Sequence, residues 1–379
     1  MTVSGGGSTG MNAQTSCTQS KQLSQKELNY ILGEHQRFVA GLSGVRACLK
    51  SACMDELVLA NRDLTGADMT GVSLKGANLH GCNLTRAKLC GADLSGSDLR
   101  NACLVRADLR NACFRDADLA YAILDFADLG ESTTSEPQEC GKADFARQSE
   151  AAAGHADFSN CSLRYASFEK ANLCNANFSN ALLQGAKFKG ATLANAHFCG
   201  AVLTDVDLAD LALPPEALKE CLCSPSAGKE QIDELMATLA AHHQWVTSAG
   251  ATGRYACIDG ADLRLLGSHL KGLSLVGLSA RNIIATCVDF SGCQLHAAKL
   301  DGADLRGAKF VGADLSGASL NHTKLAHANF NDAIVRDLPL EGGKALLVQA
   351  KGAQGLASQF EHAHVLSASF TCDLAPHAC

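Results

Sequence analysis

Large apolar residues recur at every fifth position over much of the chain, most regularly across residues 298–330. A small residue precedes each of them by two positions. An α-helix turns about 100° per residue and would scatter both sets around its circumference. A β-strand would place successive members of each set on opposite faces. The pattern therefore predicts a chain that bends every five residues and points both sets inward. The large set is Leu300, Leu305, Phe310, Leu315, Leu320, Leu325 and Phe330, and the small set is Ala298, Ala303, Ala308, Ala313, Ala318, Thr323 and Ala328.

The phenylalanines indicate how many bends close one coil. They fall into series whose members are separated by multiples of twenty residues, which is four pentads. Equal residues then lie above one another in ladders, on coils about 4.7–4.9 Å apart that are joined by backbone hydrogen bonds. The predicted ladders are Phe158, Phe178 and Phe198; Phe168 and Phe188; and Phe290, Phe310, Phe330 and Phe370.

Two amphipathic helices are predicted outside the pentads, at 24–39 and 230–246. The first begins with a capping box, Ser24 with Glu27. The two segments align as copies of one unit and predict an internal duplication in which each helix covers the open end of a repeat block. A further helical segment is expected at 214–223, after Pro214. The predicted anchors of the two covering helices are His35, Phe38, His242 and Trp245.

The pentads GADLR, GAKFV, GADLS and GANLH resemble those of the pentapeptide-repeat family, whose consensus is A-(D/N)-L-x-x. The resemblance implies an all-β solenoid, a right-handed quadrilateral β-helix. The helical leader is similar to one found on many uncharacterised bacterial members. We expect two solenoids, each with an N-terminal capping helix. The predicted layout is a disordered terminus at 1–22, a capping helix at 23–46, a first β-helix at 47–210 with a projecting loop at 130–154, a helical linker and second cap at 211–255, and a second β-helix at 256–379.

Composition changes this picture little. The 379 residues include 35 Gly, 6 Pro and 18 Cys, and the formal net charge is −7. The first residues lack the basic and apolar regions of a secretory signal, and no apolar run is long enough to span a membrane. A reduced, cytoplasmic protein is therefore expected, with Cys82, Cys161 and Cys293 at inward positions and Cys53, Cys103 and Cys113 on the surface.

No catalytic constellation stands out from the repeats. There is no phosphate-binding loop and no Ser–His–Asp set, and Cys221-x-Cys223 has no second pair to complete a zinc site. His322 and His327 are expected to be solvated at corners of the coils. We therefore predict no enzymatic activity, no cofactor and no bound metal.

Three functional hypotheses remain open at this point. The preferred one is a scaffold for an unknown protein partner, and a homodimer is also left open. The second follows from the resemblance, because quinolone-resistance members imitate duplex DNA and bind gyrase; the third is a redox responder that uses Cys53, Cys103 or Cys113. Direct nucleic-acid binding is not expected, because the net charge of −7 is modest and negative. The charge of the second block argues against DNA mimicry there, and that of the first block favours it only weakly. The acids that would face a partner are Asp68, Asp98, Asp108, Asp118 and Asp128.

Overall fold

A computed structural model describes residues 21–130, 156–211, 213–226 and 229–367. Residues 1–20 of the predicted disordered terminus, most of the loop predicted at 130–154, and Phe370 lie outside these residues. Gln22, at the end of that predicted terminus, is ordered and pairs in parallel with Cys53. Within these ranges there are three α-helices, at Gln25–Val39 (α1), Leu208–Leu211 (α2) and Lys229–Thr247 (α3). Short 3-10 helices lie at Pro215–Leu218, Arg264–Leu266, Glu341–Gly343 and Ala357–Phe360.

The repeats form stacked coils of about twenty residues. Asp68, Lys88, Asp108 and Asp128 occupy the same position on successive coils and pair in parallel. Within this file, the Leu89 amide donates to the Asp108 carbonyl one coil ahead (2.7 Å). Since the chain bends after every pair of bonded residues, most of the pairing consists of isolated bridges rather than strands. The regular strands have two residues each: Val202–Leu203 (β1), Leu222–Cys223 (β2), Ile334–Val335 (β3), Leu338–Pro339 (β4), Ala345–Leu346 (β5) and His364–Val365 (β6). The pairs β1–β2 and β3–β6 are parallel, whereas β4–β5 is antiparallel.

Each bend places one residue in the left-handed backbone region. Gly81, for example, has φ 63° and Asn101, one coil later, has φ 59°. Glycine adopts this region without a steric penalty and asparagine tolerates it. The recurrent Gly and Asn at the last position of the pentads therefore follow from the turn geometry.

The inward residues build two buried cores, one in each repeat block. In the first block, the rings of Phe158 and Phe178 stack with centroids 5.0 Å apart, as do those of Phe178 and Phe198. Phe168 and Phe188 form the adjacent file, also at 5.0 Å. The rings of the two files meet edge to face, which is a favourable aromatic geometry.

The third ladder departs from its predicted membership. Phe290, Phe310 and Phe330 stack at 5.1 and 4.9 Å, but the ring above Phe330 is Phe360, at 4.3 Å. The antiparallel β4–β5 pair adds ten residues to this coil, so that Ser319 pairs with Gln349. Counting in twenties from Phe330 therefore misses Phe360.

The first block also tolerates a long insertion. Asp118 pairs directly with Asp157, and Asp128 with Ser167, across the segment predicted to project as a loop. The file of stacked coils therefore continues on both sides of residues 131–155.

The end of the first block differs from the prediction. Leu208, the last predicted inward leucine, opens α2 and is 38% exposed. The helix expected at 214–223 is only a four-residue 3-10 turn, after which β2 pairs with β1 and extends the block to Cys223. Cys221 takes the small inward position, and its thiol donates to the Phe198 carbonyl (3.1 Å). Helical periodicity was the wrong interpretation of this segment because Cys221 and Cys223 keep the pentad phase.

The two blocks lie side by side, and their successive coils advance in opposite directions. The Arg306 guanidinium donates to the carbonyls of Asn180 (3.0 Å) and Gly200 (2.7 Å), and His327 contacts the carbonyl of Asn160. Residue numbers in the second block thus fall as those in the first rise. The short segment between Cys223 and α3 favours such a reversal of direction.

Candidate interaction surface

The acidic and amide side chains before each inward leucine are held by their own backbone. The Oδ1 atom of Asp98 accepts the Arg100 amide (3.1 Å), and Oδ1 of Asp118 accepts the Ala120 amide (3.0 Å). Such Asx turns support the bend and orient the side chain. The same bond, from the amide two residues on, is made at Asp68, Asn78, Asp108, Asp128, Asp157, Asn177, Asp289 and Asp314.

Two arginines pair with or approach four of the predicted partner-facing acids. Arg100 pairs with Asp98 (2.7 Å) and approaches Asp118 (3.6 Å). Burial opposes ionisation of Asp98, but the hydrogen bonds and charge of Arg100 outweigh it and lower the pKa of that carboxyl.

Arg110 repeats this arrangement two sides further around the coil. It pairs with Asp108 (2.7 Å) and lies 3.8 Å from Asp128, and the pKa of Asp108 is lowered in the same way against the effect of burial. Asp68 accepts from Thr70 and lies 3.7 Å from Lys50. These five acids therefore form a mixed-charge surface rather than an unbroken negative face.

The helices α1 and α3 each place one histidine against the first coil of a block. The Nδ1 atom of His35 accepts the Ala47 amide and that of His242 accepts the Ala256 amide, both at 3.1 Å. Both rings are fully buried. Burial is the largest cause that lowers the pKa of each imidazole, so the neutral form is favoured.

The other two predicted anchors differ from one another. Trp245 is partly buried and packs on Tyr255, with ring centroids 5.5 Å apart. Phe38 is 45% exposed, so its prediction as a core anchor is wrong. Arg46 precedes Ala47 where Tyr255 precedes Ala256, and Phe38 therefore lacks the second ring that covers Trp245.

Further polar side chains form hydrogen bonds with the open backbone edge of each block, and the repeat pattern did not predict them. The Gln25 amide pairs with both the N–H (2.8 Å) and the carbonyl (2.9 Å) of Val58, as a neighbouring coil would. His243 accepts the Ser274 amide through Nδ1 (2.9 Å). The only sequence signal for these roles is a polar residue near one end of an amphipathic helix.

The cysteines divide by depth. Cys82, Cys161 and Cys293 are buried, and each thiol donates to a backbone carbonyl of a neighbouring coil at 2.8–2.9 Å. Burial raises the pKa of Cys82 and of Cys293 to about 11, which makes these thiols unreactive.

The cysteines predicted on the surface are half-buried rather than exposed. Cys53, Cys103 and Cys113 all fall in this class. Cys103 lies 3.3 Å from the Thr85 hydroxyl, and Cys113 lies at the same distance from Ser95. Within the described ranges, no group of three or more His, Cys, Asp or Glu side chains is arranged to hold a metal.

The two corner histidines also behave differently. His322 is exposed, as expected. The expectation of a solvated His327 is wrong, because its Nε2 atom lies 2.5 Å from the Asn160 carbonyl of the first block. Burial in that contact lowers the pKa of His327. Packing between blocks has no signature in the local repeat, so the sequence could not distinguish these two residues.

A sequence model described as pentapeptide repeats matches the chain in eight copies, over residues 52–89, 77–116, 149–180, 176–213 and 298–337. The chain belongs to the pentapeptide-repeat family. This confirms the resemblance inferred from the pentads, and members of the family form right-handed quadrilateral β-helices. No curated protein matches the chain.

Several solved pentapeptide-repeat proteins are similar to this chain. HetL, a protein involved in heterocyst differentiation regulation in Nostoc sp. PCC 7120, is 20% identical over 82% of this chain and 96% of its own, with a TM-score of 0.19. Full-length QnrB1, a plasmid-mediated fluoroquinolone resistance protein, is 14% identical over 81% and 95%, with a TM-score of 0.19. The Nostoc protein alr5209 is 31% identical over 28% and 84%, with a TM-score of 0.17. At these scores the superpositions carry no argument about the arrangement of the two blocks.

None of the helices in the described ranges combines the length and the apolar character needed to cross a membrane.

Proposed function

We propose that this pentapeptide-repeat protein is a non-catalytic scaffold that presents its outer faces to a protein partner. The observation that carries the proposal is the set of Asx turns, which hold rows of polar side chains in defined orientations along the coils. A surface whose side chains are ordered before binding loses less conformational entropy when a partner docks. The interior is filled with Leu, Ala and Phe, which leaves the outer faces to carry function.

We further propose that the molecule consists of two solenoids, each capped by its own N-terminal helix. The support is that α1 and α3 bury apolar residues against separate cores and bond to the open backbone edge of the next coil. The boundaries that we propose are 47–223 for the first solenoid and a start at 256 for the second. The described cysteines are free thiols, which supports the reducing cytoplasm as the compartment.

Affinity capture from the native host tests the scaffold function. Purified protein is immobilised, crosslinked to bound proteins and compared with a variant that lacks residues 131–155. We expect a partner to be retained in defined stoichiometry and in the presence of nuclease. If no protein is enriched over an unrelated solenoid of similar charge, the proposal is wrong.

A gyrase supercoiling assay separates this function from DNA mimicry. The scaffold proposal expects no effect at micromolar protein, because Arg100 and Arg110 interrupt the acidic rows. Inhibition or protection of gyrase by the wild-type protein would contradict it.

A further inference from the structure

One corner of the first block carries large exposed side chains where small ones are expected. Arg86, Arg106, Phe126 and Tyr165 occupy the bend position on four successive coils, with φ of 57°, 58°, 60° and 57°. Gly66 precedes them in the same file and Gly185 follows them. A bulky residue with positive φ is strained relative to glycine or asparagine. Positive φ recurs at the bends throughout the fold, and this corner differs in carrying four large side chains in succession.

These four residues are here called the corner strip, and three of them, Arg106, Phe126 and Tyr165, stack in solvent-facing positions. The Arg106 guanidinium lies 5.5 Å from the centre of the Phe126 ring, and the Phe126 and Tyr165 rings are 5.2 Å apart with an interplanar angle of 14°. The two rings remain 51% and 47% exposed. Tyr165 leans over Gly185, where a Cβ atom would come within 2.5 Å of its ring. The strip is therefore a continuous aromatic and cationic ridge.

The arginines of the corner strip are available to an outside anion. Both Arg86 and Arg106 are exposed, and within the described ranges neither forms a salt bridge. The nearest rows of carboxylates are already engaged, since Asp108 is held by Arg110 and Asp125 by Arg164. Lys88 adds a third exposed cation beside the strip.

We propose that the corner strip is the docking site for an acidic, extended peptide segment of a partner protein. This inference rests on the scaffold function proposed above and names the chemistry of its partner. Carboxylates of the segment would bond to the two guanidinium groups, and apolar side chains would pack on the exposed ring edges. Four coils span about 15 Å, which matches about five residues of extended chain.

The geometry favours a peptide over a nucleic acid. The faces of the Phe126 and Tyr165 rings are covered by each other and by Arg106, so they offer no platform on which bases could stack. The net charge of −7 also disfavours a polyanion. A short acidic segment needs only the local positive charge of the strip.

The test uses the full chain and defined probes in fluorescence polarisation. The probes are a fluorescein-labelled peptide of six alternating Glu and Leu residues, the matching Lys and Leu peptide, and a ten-residue oligothymidylate. The variants are F126N/Y165N and R86N/R106N, because asparagine already occupies the same backbone conformation at Asn101 and Asn160. Lys170→Asn, exposed with φ 60° at another corner, is the matched control.

We expect the acidic peptide alone to bind, and each double variant to weaken binding by about tenfold or more, as loss of central contacts does. Lys170→Asn should leave the affinity within about twofold. The melting temperature of F126N/Y165N should stay equal or rise, since strain is removed. A fall in melting temperature would assign the rings a packing role and overturn the proposal. So would equal binding of the two peptides, or strip-dependent binding of the oligonucleotide.

Failure of the strip and failure of the scaffold are distinguishable. A partner captured from the native host equally by the wild type and by F126N/Y165N would overturn the corner strip while leaving the scaffold function intact. Loss of that partner with the strip variants, and its retention by Lys170→Asn, is the result that we expect.

Discussion

At the residue scale, the most constrained side chains are two histidines that act as neutral acceptors. His35 and His242 each use Nδ1 to accept a backbone amide, and their Nε2 atoms are buried without a hydrogen-bond partner among the described residues. Protonation at Nδ1 would break the bond to Ala47 or Ala256 and place a charge in an apolar site. A histidine stands at the same place in both copies because the first coil of each block has a backbone amide that needs a buried hydrogen-bond acceptor.

This arrangement makes stability depend on pH. The pKa of both imidazoles is lowered in the folded state, so the unfolded chain binds more protons below its histidine pKa of about 6.5. Their contribution to stability is complete above that pH and is lost as the pH falls towards the folded pKa. We expect the melting temperature to decline from pH 7 to pH 5 in a thermal unfolding series.

The control for this prediction is H35N/H242N, because the Asn side chain keeps an acceptor but does not titrate. It should flatten the decline and leave the contribution of His327, whose pKa is also lowered by burial. An identical pH slope in the variant would show that other groups are responsible.

At the scale of the element, the unit of stability is a file of equal side chains across several coils. Phe178 lies between Phe158 and Phe198 in one file and meets Phe168 and Phe188 of the next. The interior of a coil is narrow, so no second layer of side chains is available to fill a gap. Each inward position therefore matters to the coil above it and to the coil below.

Truncation at the centre of the file should be costly. We expect Phe178→Ala to lower the free energy of unfolding by about 3–5 kcal/mol, because it removes buried surface and leaves a cavity. Urea unfolding measures the change, with Tyr30→Ala, at a position 73% exposed on α1, as a control that should stay within about 0.5 kcal/mol. A loss below about 1 kcal/mol for Phe178→Ala would mean that the coils collapse around the gap.

At the scale of the whole molecule, Arg306 joins the two blocks. It is only 2% exposed, pairs with Asp304 at 2.6 Å and donates to two carbonyls of the other block. Arg264 makes a similar contact further along, with the Cys223 carbonyl (2.7 Å). Buried guanidinium groups of this kind are sensitive to the loss of any partner.

Removal of this contact should weaken the docking of the blocks. We expect Arg306→Met to destabilise the protein by about 3–5 kcal/mol, since Asp304 loses its buried partner. Small-angle X-ray scattering should show a larger radius of gyration as the blocks separate. Arg281→Met, at a half-exposed pair with Asp259, is the matched control and should change neither quantity. Unchanged scattering by Arg306→Met would show that other contacts hold the blocks together.

The pentad pattern by itself determined which side chains point inward and how many pentads close a coil. Helical apolar periodicity determined where α1 and α3 begin and end within a residue or two. These properties are local, because each bend is set by a small residue, a large residue and a turn residue five positions apart. Counting failed where a hairpin or a turn added residues, as with Phe360, thirty residues after Phe330, and with the 214–223 segment. Only the tertiary structure decided which polar side chains are buried, neutralised or stacked. Arg306, His327 and the corner strip occupy ordinary positions of their pentads, and their environments come from coils twenty or more residues away.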